Sequence, residues 1–83
     1  MYYVYLLKSL KDENLYVGFT SDLKERIKRH ENGEVNSTKF RRPFRLIFYE
    51  AFYNKYDALA REKYLKSGYG KEQLENILKN SLK

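Results

Sequence analysis

Alternation of apolar and polar positions marks three strands along this chain. Over residues 2–8, Val4 and Leu6 point one way and Tyr3, Tyr5 and Leu7 the other, the period-two pattern of a strand. A short polar stretch, Ser9 to Asn14, suits a hairpin that brings residues 15–20 alongside. There Leu15, Val17 and Phe19 make an apolar face, while Tyr16, Gly18 and Thr20 make a small or polar one. A glycine inside a strand marks the close approach of another group, here a ligand or the ring of Tyr5 across the hairpin. Residues 44–53 form the longest strand, with Phe44, Leu46, Phe48 and Phe52 facing one way and Ile47, Tyr49 and Ala51 the other. Being apolar on both faces, it is expected to be covered on both sides.

Helical periodicity fills the remainder. Residues 22–32 open on Asp22, which can cap the helix, with Glu25 placed to complete a capping box and Gly33 to end it. A second helix runs over 55–67 behind the cap Asn54 and ends at Ser67-Gly68. The third, over 71–82, carries Leu74, Ile77, Leu78 and Leu82 on one stripe and must dock on the rest of the fold to be stable. Residues 34–43 show no period and read as a loop holding Lys39-Phe40-Arg41-Arg42-Pro43. Tyr2, Tyr49, Tyr53, Tyr56 and Tyr64 are expected to be packing residues.

At 83 residues the chain is expected to be one small domain. It has no cysteine and one histidine, which excludes disulfides and thiolate metal sites and leaves no basis for structural zinc. No apolar run approaches the ~20 residues of a membrane helix, and no leader is visible, so a cytoplasmic protein is expected. The net charge is +6, from 17 Lys and Arg against 11 Asp and Glu, which is compatible with nucleic acid. Lys39, Arg41, Arg42 and Arg45 are the candidate phosphate contacts, with Phe40 and Phe44 available for stacking.

Three residues stand out by position. At about 100° per residue, Arg26 lies about 60° and His30 about 20° from Leu23, which shares an apolar stripe with Ile27, whereas Lys24, Glu25, Lys28, Arg29 and Asn32 face away. Glu62 sits inside the apolar arc of Ala58, Leu59 and Leu65. A charge aimed at a core must be neutralised, hydrogen-bonded or turned to a ligand. One reading pairs Glu62 with Arg26 or another cation and leaves His30 satisfied by backbone. The other gathers all three, with the Tyr16/Gly18 face, around a phosphate: arginine grips phosphate oxygens, and a lone carboxylate suits Mg²⁺.

Tyr3-Val4-Tyr5, Tyr16-Val17-Gly18, Arg26, His30 and Glu62, in that order, resemble the GIY-YIG nuclease family over nearly the whole chain. The resemblance is closest to its small stand-alone members. It implies an α+β fold, a three-stranded antiparallel sheet flanked by helices in the order β-β-α-β-α-α. It also implies a metal-dependent DNA endonuclease, active in DNA repair or processing, that hydrolyses phosphodiester bonds with one Mg²⁺ or Mn²⁺. Glu62 would hold the metal and Arg26 would steady charge on the phosphate. Tyr5 or Tyr16 would help activate water, and His30 would assist. Binding of DNA by such a module is expected to be weak and largely independent of sequence. Phe19 stands where the excision-repair branch carries lysine, and this departure favours the alternative of a nucleic-acid-binding module with little cleavage.

Overall fold

A computed structural model describes residues 1–83. Strands β1 (Tyr2–Ser9), β2 (Leu15–Thr20) and β3 (Phe44–Phe52) form one antiparallel sheet in the order β2-β1-β3. The helices are α1 (Leu23–Glu31), α2 (Lys55–Leu65) and α3 (Gly68–Ile77), and a short 3-10 turn spans Lys39–Arg41. The element order β-β-α-β-α-α is the one expected. No helix is long and apolar enough to cross a membrane.

The two faces of β1 divide the molecule. Val4 and Leu6 face α2 and α3 and join Val17, Ala58, Leu65 and Leu74 in a buried core. Phe19, opposite Val4, belongs to this face and stacks on Tyr2, with ring centroids 6.2 Å apart. Tyr3, Tyr5 and Leu7 therefore face α1. The hairpin loop is tied by the buried Ser9, whose hydroxyl accepts from the amides of Lys11 (3.2 Å) and Asp12 (3.1 Å) and donates to the Arg41 carbonyl (2.6 Å).

Local chemistry sets the helix ends. The Asp22 carboxylate accepts from the Glu25 amide at 3.2 Å, but the Glu25 side chain turns outward to Arg29 (3.1 Å), so only half of the expected capping box forms. Gly33, at φ +75°, ends α1: its amide reaches the His30 carbonyl and the Glu34 amide reaches the Arg29 carbonyl. This paired closure needs a left-handed residue, which glycine adopts without a Cβ clash.

Three expectations are corrected. The helix placed at 71–82 spans Gly68–Ile77, because the Ser67 hydroxyl caps it by accepting from the Gly70 amide at 3.2 Å. A Cβ on Gly70 would overlap the Tyr64 carbonyl oxygen, so glycine is what lets α3 turn so closely over the end of α2. In β3, Leu6 pairs with Phe48 and Leu7 with Leu46, leaving Ile47 as a bulge. The extra residue flips the alternation, so Phe48 and Phe52 pack on the core while Phe44 and Leu46 lie on the α1 side. Among the tyrosines expected to pack, Tyr53 and Tyr56, at the start of α2, stand in solvent, and Tyr49 on the edge strand β3 and Tyr64 near the end of α2 are about half exposed.

Candidate active site

The hairpin register assembles the first half of the site. Tyr5 lies opposite Gly18 and Leu7 opposite Tyr16, so both phenols project from one face. Their ring centroids are 6.4 Å apart. A Cβ on Gly18 would overlap the Tyr5 ring tip, and the strand glycine is thus the space that the Tyr5 phenol occupies. Of the two occupants that the sequence left open, the tyrosine ring is the one found.

Helix α1 brings the second half, laying Arg26 and His30 across that face. The Tyr5 hydroxyl and His30 Nε2 are 2.8 Å apart, and Arg26 Nε donates to the Tyr5 hydroxyl oxygen at 3.4 Å. The His30 ring also lies edge-on to Tyr16 at 5.3 Å and to Phe44 at 6.1 Å between centroids. Its other nitrogen, Nδ1, is 2.7 Å from the Thr38 hydroxyl. His30 is satisfied by side chains rather than by backbone.

Electrostatics follow from this packing. Burial, reinforced by the neighbouring Arg26 cation, lowers the His30 pKa to about 4. Burial likewise raises the Tyr5 pKa, against the donated hydrogen bond from Arg26. At neutral pH the pair is therefore a neutral phenol beside a neutral imidazole. Arg26 keeps its charge all the more firmly because Tyr5 accepts from it. A titration followed by the His30 ring proton signals is expected to show a midpoint near 4 rather than the ~6.5 of a solvated histidine. A midpoint at the ordinary value would mean that the ring is solvated.

Glu62 is half-buried on α2 and pairs with Lys66, one turn on, at 3.2 Å. Of the two partners considered from sequence, another cation is the one observed, and Arg26 takes part in none of the four ion pairs. Glu62 is close enough that its charge contributes to raising the Tyr5 pKa. No group of three or more histidine or acidic side chains converges anywhere in the protein. A donor set of one carboxylate nonetheless fits Mg²⁺, which fills the remainder of its octahedron with water and substrate phosphate.

The basic loop residues are only partly free. Arg41 pairs with Asp12 at 3.0 Å and holds that carboxyl below the usual carboxylate range. Arg42 donates to the carbonyls of Lys39 (2.9 Å) and Glu31 (3.2 Å), closing the loop over the end of α1. Lys39 leans over the Phe40 ring at 4.9 Å, and Arg45 is exposed on β3 opposite Lys8. Sequence reasoning missed Thr38, which it treated as part of the aperiodic loop over residues 34–43. No periodicity could have flagged it, because the loop alone carries it to His30.

The protein is thus an α+β domain whose sheet and first helix present two tyrosines, an arginine and a histidine together. The GIY-YIG catalytic domain family matches residues 1–77, and the chain belongs to that nuclease family. Among its relatives, a UPF0213 protein of Clostridium perfringens is 44% identical, over 100% of this chain and 89% of its own length. A UPF0213 protein of Pediococcus acidilactici is 36% identical over 98% of this chain and 85% of its own. The solution structure of a UPF0213 protein from Bacillus halodurans is 41% identical and matches with a TM-score of 0.57, covering 93% of this chain and 85% of that one.

Proposed function

We propose that this chain is a divalent-metal-dependent endonuclease that hydrolyses phosphodiester bonds in DNA. The observation that carries the reading is the hydrogen-bonded set of Arg26, Tyr5 and His30, two rings and a cation in contact, beside the half-exposed Tyr16. Nothing in the fold neutralises Arg26 with a carboxylate, so its charge is available to a phosphate oxygen. Tyr5 is the phenol with a neutral imidazole at hydrogen-bond distance. In this reading the Tyr5 oxygen takes a proton from the attacking water while the Tyr5 proton passes to His30 Nε2. A phosphate seated on Arg26 offsets part of the charge that depresses His30, which makes the ring a better acceptor when substrate is present. Tyr16, at the mouth, orients water and phosphate. Glu62 would hold one Mg²⁺ or Mn²⁺, whose chemistry there is to neutralise charge on the phosphate.

The assay is incubation with supercoiled, branched and single-stranded DNA, with Mg²⁺ or Mn²⁺ and with chelator. Cleavage that chelator abolishes is expected. Binding should be weak and should fall with salt, because it rests on phosphate contacts. Salt-sensitive binding with no cleavage of any substrate would replace this reading by that of a binding module.

A further inference from the structure

A polar side chain outside the family motif completes the hydrogen bonding of the site. Thr38 is fully buried, and its hydroxyl lies 2.7 Å from His30 Nδ1. It comes from the loop between α1 and β3, whose local turn is closed by the Thr38 and Lys39 amides donating to the Val35 carbonyl at 3.0 and 2.9 Å. The same carbonyl is 3.4 Å from the Thr38 hydroxyl and serves as its acceptor.

Counting donors and acceptors selects one arrangement of protons. Arg26 can only donate, so the Tyr5 oxygen accepts from it. The Tyr5 hydroxyl is buried, and its proton has one acceptor on hand, His30 Nε2. Nε2 must then be bare, which puts the ring proton on Nδ1. That proton is donated to Thr38, whose own proton goes to Val35. Every buried group in the series is satisfied, and no buried side-chain nitrogen or oxygen in the protein lacks a partner. The opposite tautomer would place two donors, Arg26 and His30, on the Tyr5 oxygen and leave the Tyr5 proton without a buried acceptor.

We infer that Thr38 is a positioning residue that, together with Arg26 and Tyr5, holds His30 in its Nδ1–H tautomer, so that Nε2 stays open to the Tyr5 proton. This rests on the proposed function only for its consequence in turnover; the tautomer is a property of the folded protein alone. When Tyr5 passes its proton to Nε2, the ring becomes an imidazolium whose Nδ1–H remains on Thr38. No reorientation of the ring is needed as the proton moves.

The test uses the fact that the chain has a single histidine. Long-range proton–nitrogen NMR at pH 7 is expected to show a protonated Nδ1 and a bare Nε2 in the wild type. Thr38→Val keeps the volume but removes the acceptor, and should shift the ring toward the Nε2–H form. Thr38→Ser should restore the wild-type spectrum. In cleavage, Thr38→Val should lower kcat about 10-fold or more with KM little changed, as expected when a histidine's proton sits on the wrong nitrogen, and Thr38→Ser should recover it. A wild-type ring protonated on Nε2, or a Thr38→Val ring still protonated on Nδ1, overturns the inference. If Thr38→Val does not fold, Thr38→Ala, which also removes the acceptor but adds no bulk, is read in its place, and a ring still protonated on Nδ1 there overturns the inference. The predicted tautomer in a protein that cleaves nothing would sink the proposed function and leave the Thr38 assignment standing.

Discussion

Arg26→Ala is expected to lower the cleavage rate by ~10²-fold or more while leaving the melting temperature close to that of the wild type. The rate loss is the scale seen when one preorganised donor to a developing oxyanion is removed. The small stability change follows from what Arg26 touches. It is half-exposed, makes one long hydrogen bond to Tyr5 and belongs to no ion pair, so its removal strands no buried carboxylate. Glu62→Gln should abolish cleavage by a different route, losing metal binding that Arg26→Ala retains. Its pairing with Lys66 across one helical turn is of a kind worth about 0.3–0.5 kcal/mol, so it too should fold normally.

The two substitutions should add in thermal melts, because the residues share no contact. Had they formed a buried pair, each single mutant would lose roughly 3–5 kcal/mol and the double would be milder. Melts of the three variants, read beside Mn²⁺ binding, separate a site from a strut. A double mutant more stable than either single one would contradict this account.

Gly18→Ala should damage both the packing and the site. The new Cβ would overlap Tyr5 Cζ and Oη, and the ring cannot simply swing aside. It is almost fully buried and its hydroxyl is held by His30 at 2.8 Å. Forcing a methyl into such packing costs about 1–3 kcal/mol, measurable in urea unfolding. Displacement of the phenol should also break its bond to His30 and reduce cleavage to the level of Tyr5→Phe. The two changes are coupled. Removing the hydroxyl takes away one of the overlapping atoms, so Gly18→Ala in the Tyr5→Phe background should cost less than in the wild type. Strict additivity would show that Gly18 matters for backbone freedom rather than for the space it leaves to Tyr5.

Much of this was legible in the residues because it is governed by short-range periodicity. Side chains alternate along a strand, so an antiparallel hairpin that buries Val4, Leu6 and Val17 together must present Tyr5 and Tyr16 together. The stripe on α1 likewise fixed that Arg26 and His30 point at the sheet, since positions four apart share a helix face. Order and chemistry of those residues were enough to place the chain in its family.

Tertiary closure decided the rest. The bulge at Ile47 comes from pairing β3 against β1 and leaves no mark in a run that is apolar on both faces. Ser67-Gly68 stops one helix and starts the next, and only the packing of α3 on α2 shows which role each residue takes. The carboxylate inside an apolar arc could have met Arg26, but the geometry of α2 gives it Lys66. Arg41 and Arg42, read as candidate phosphate contacts, are bound by Asp12 and by carbonyls that lie far away in sequence or in an aperiodic loop. Thr38 reaches His30 for the same reason. Periodicity reports which way a side chain points, whereas the partner it meets depends on where distant segments close, and that is settled only when the whole chain has packed.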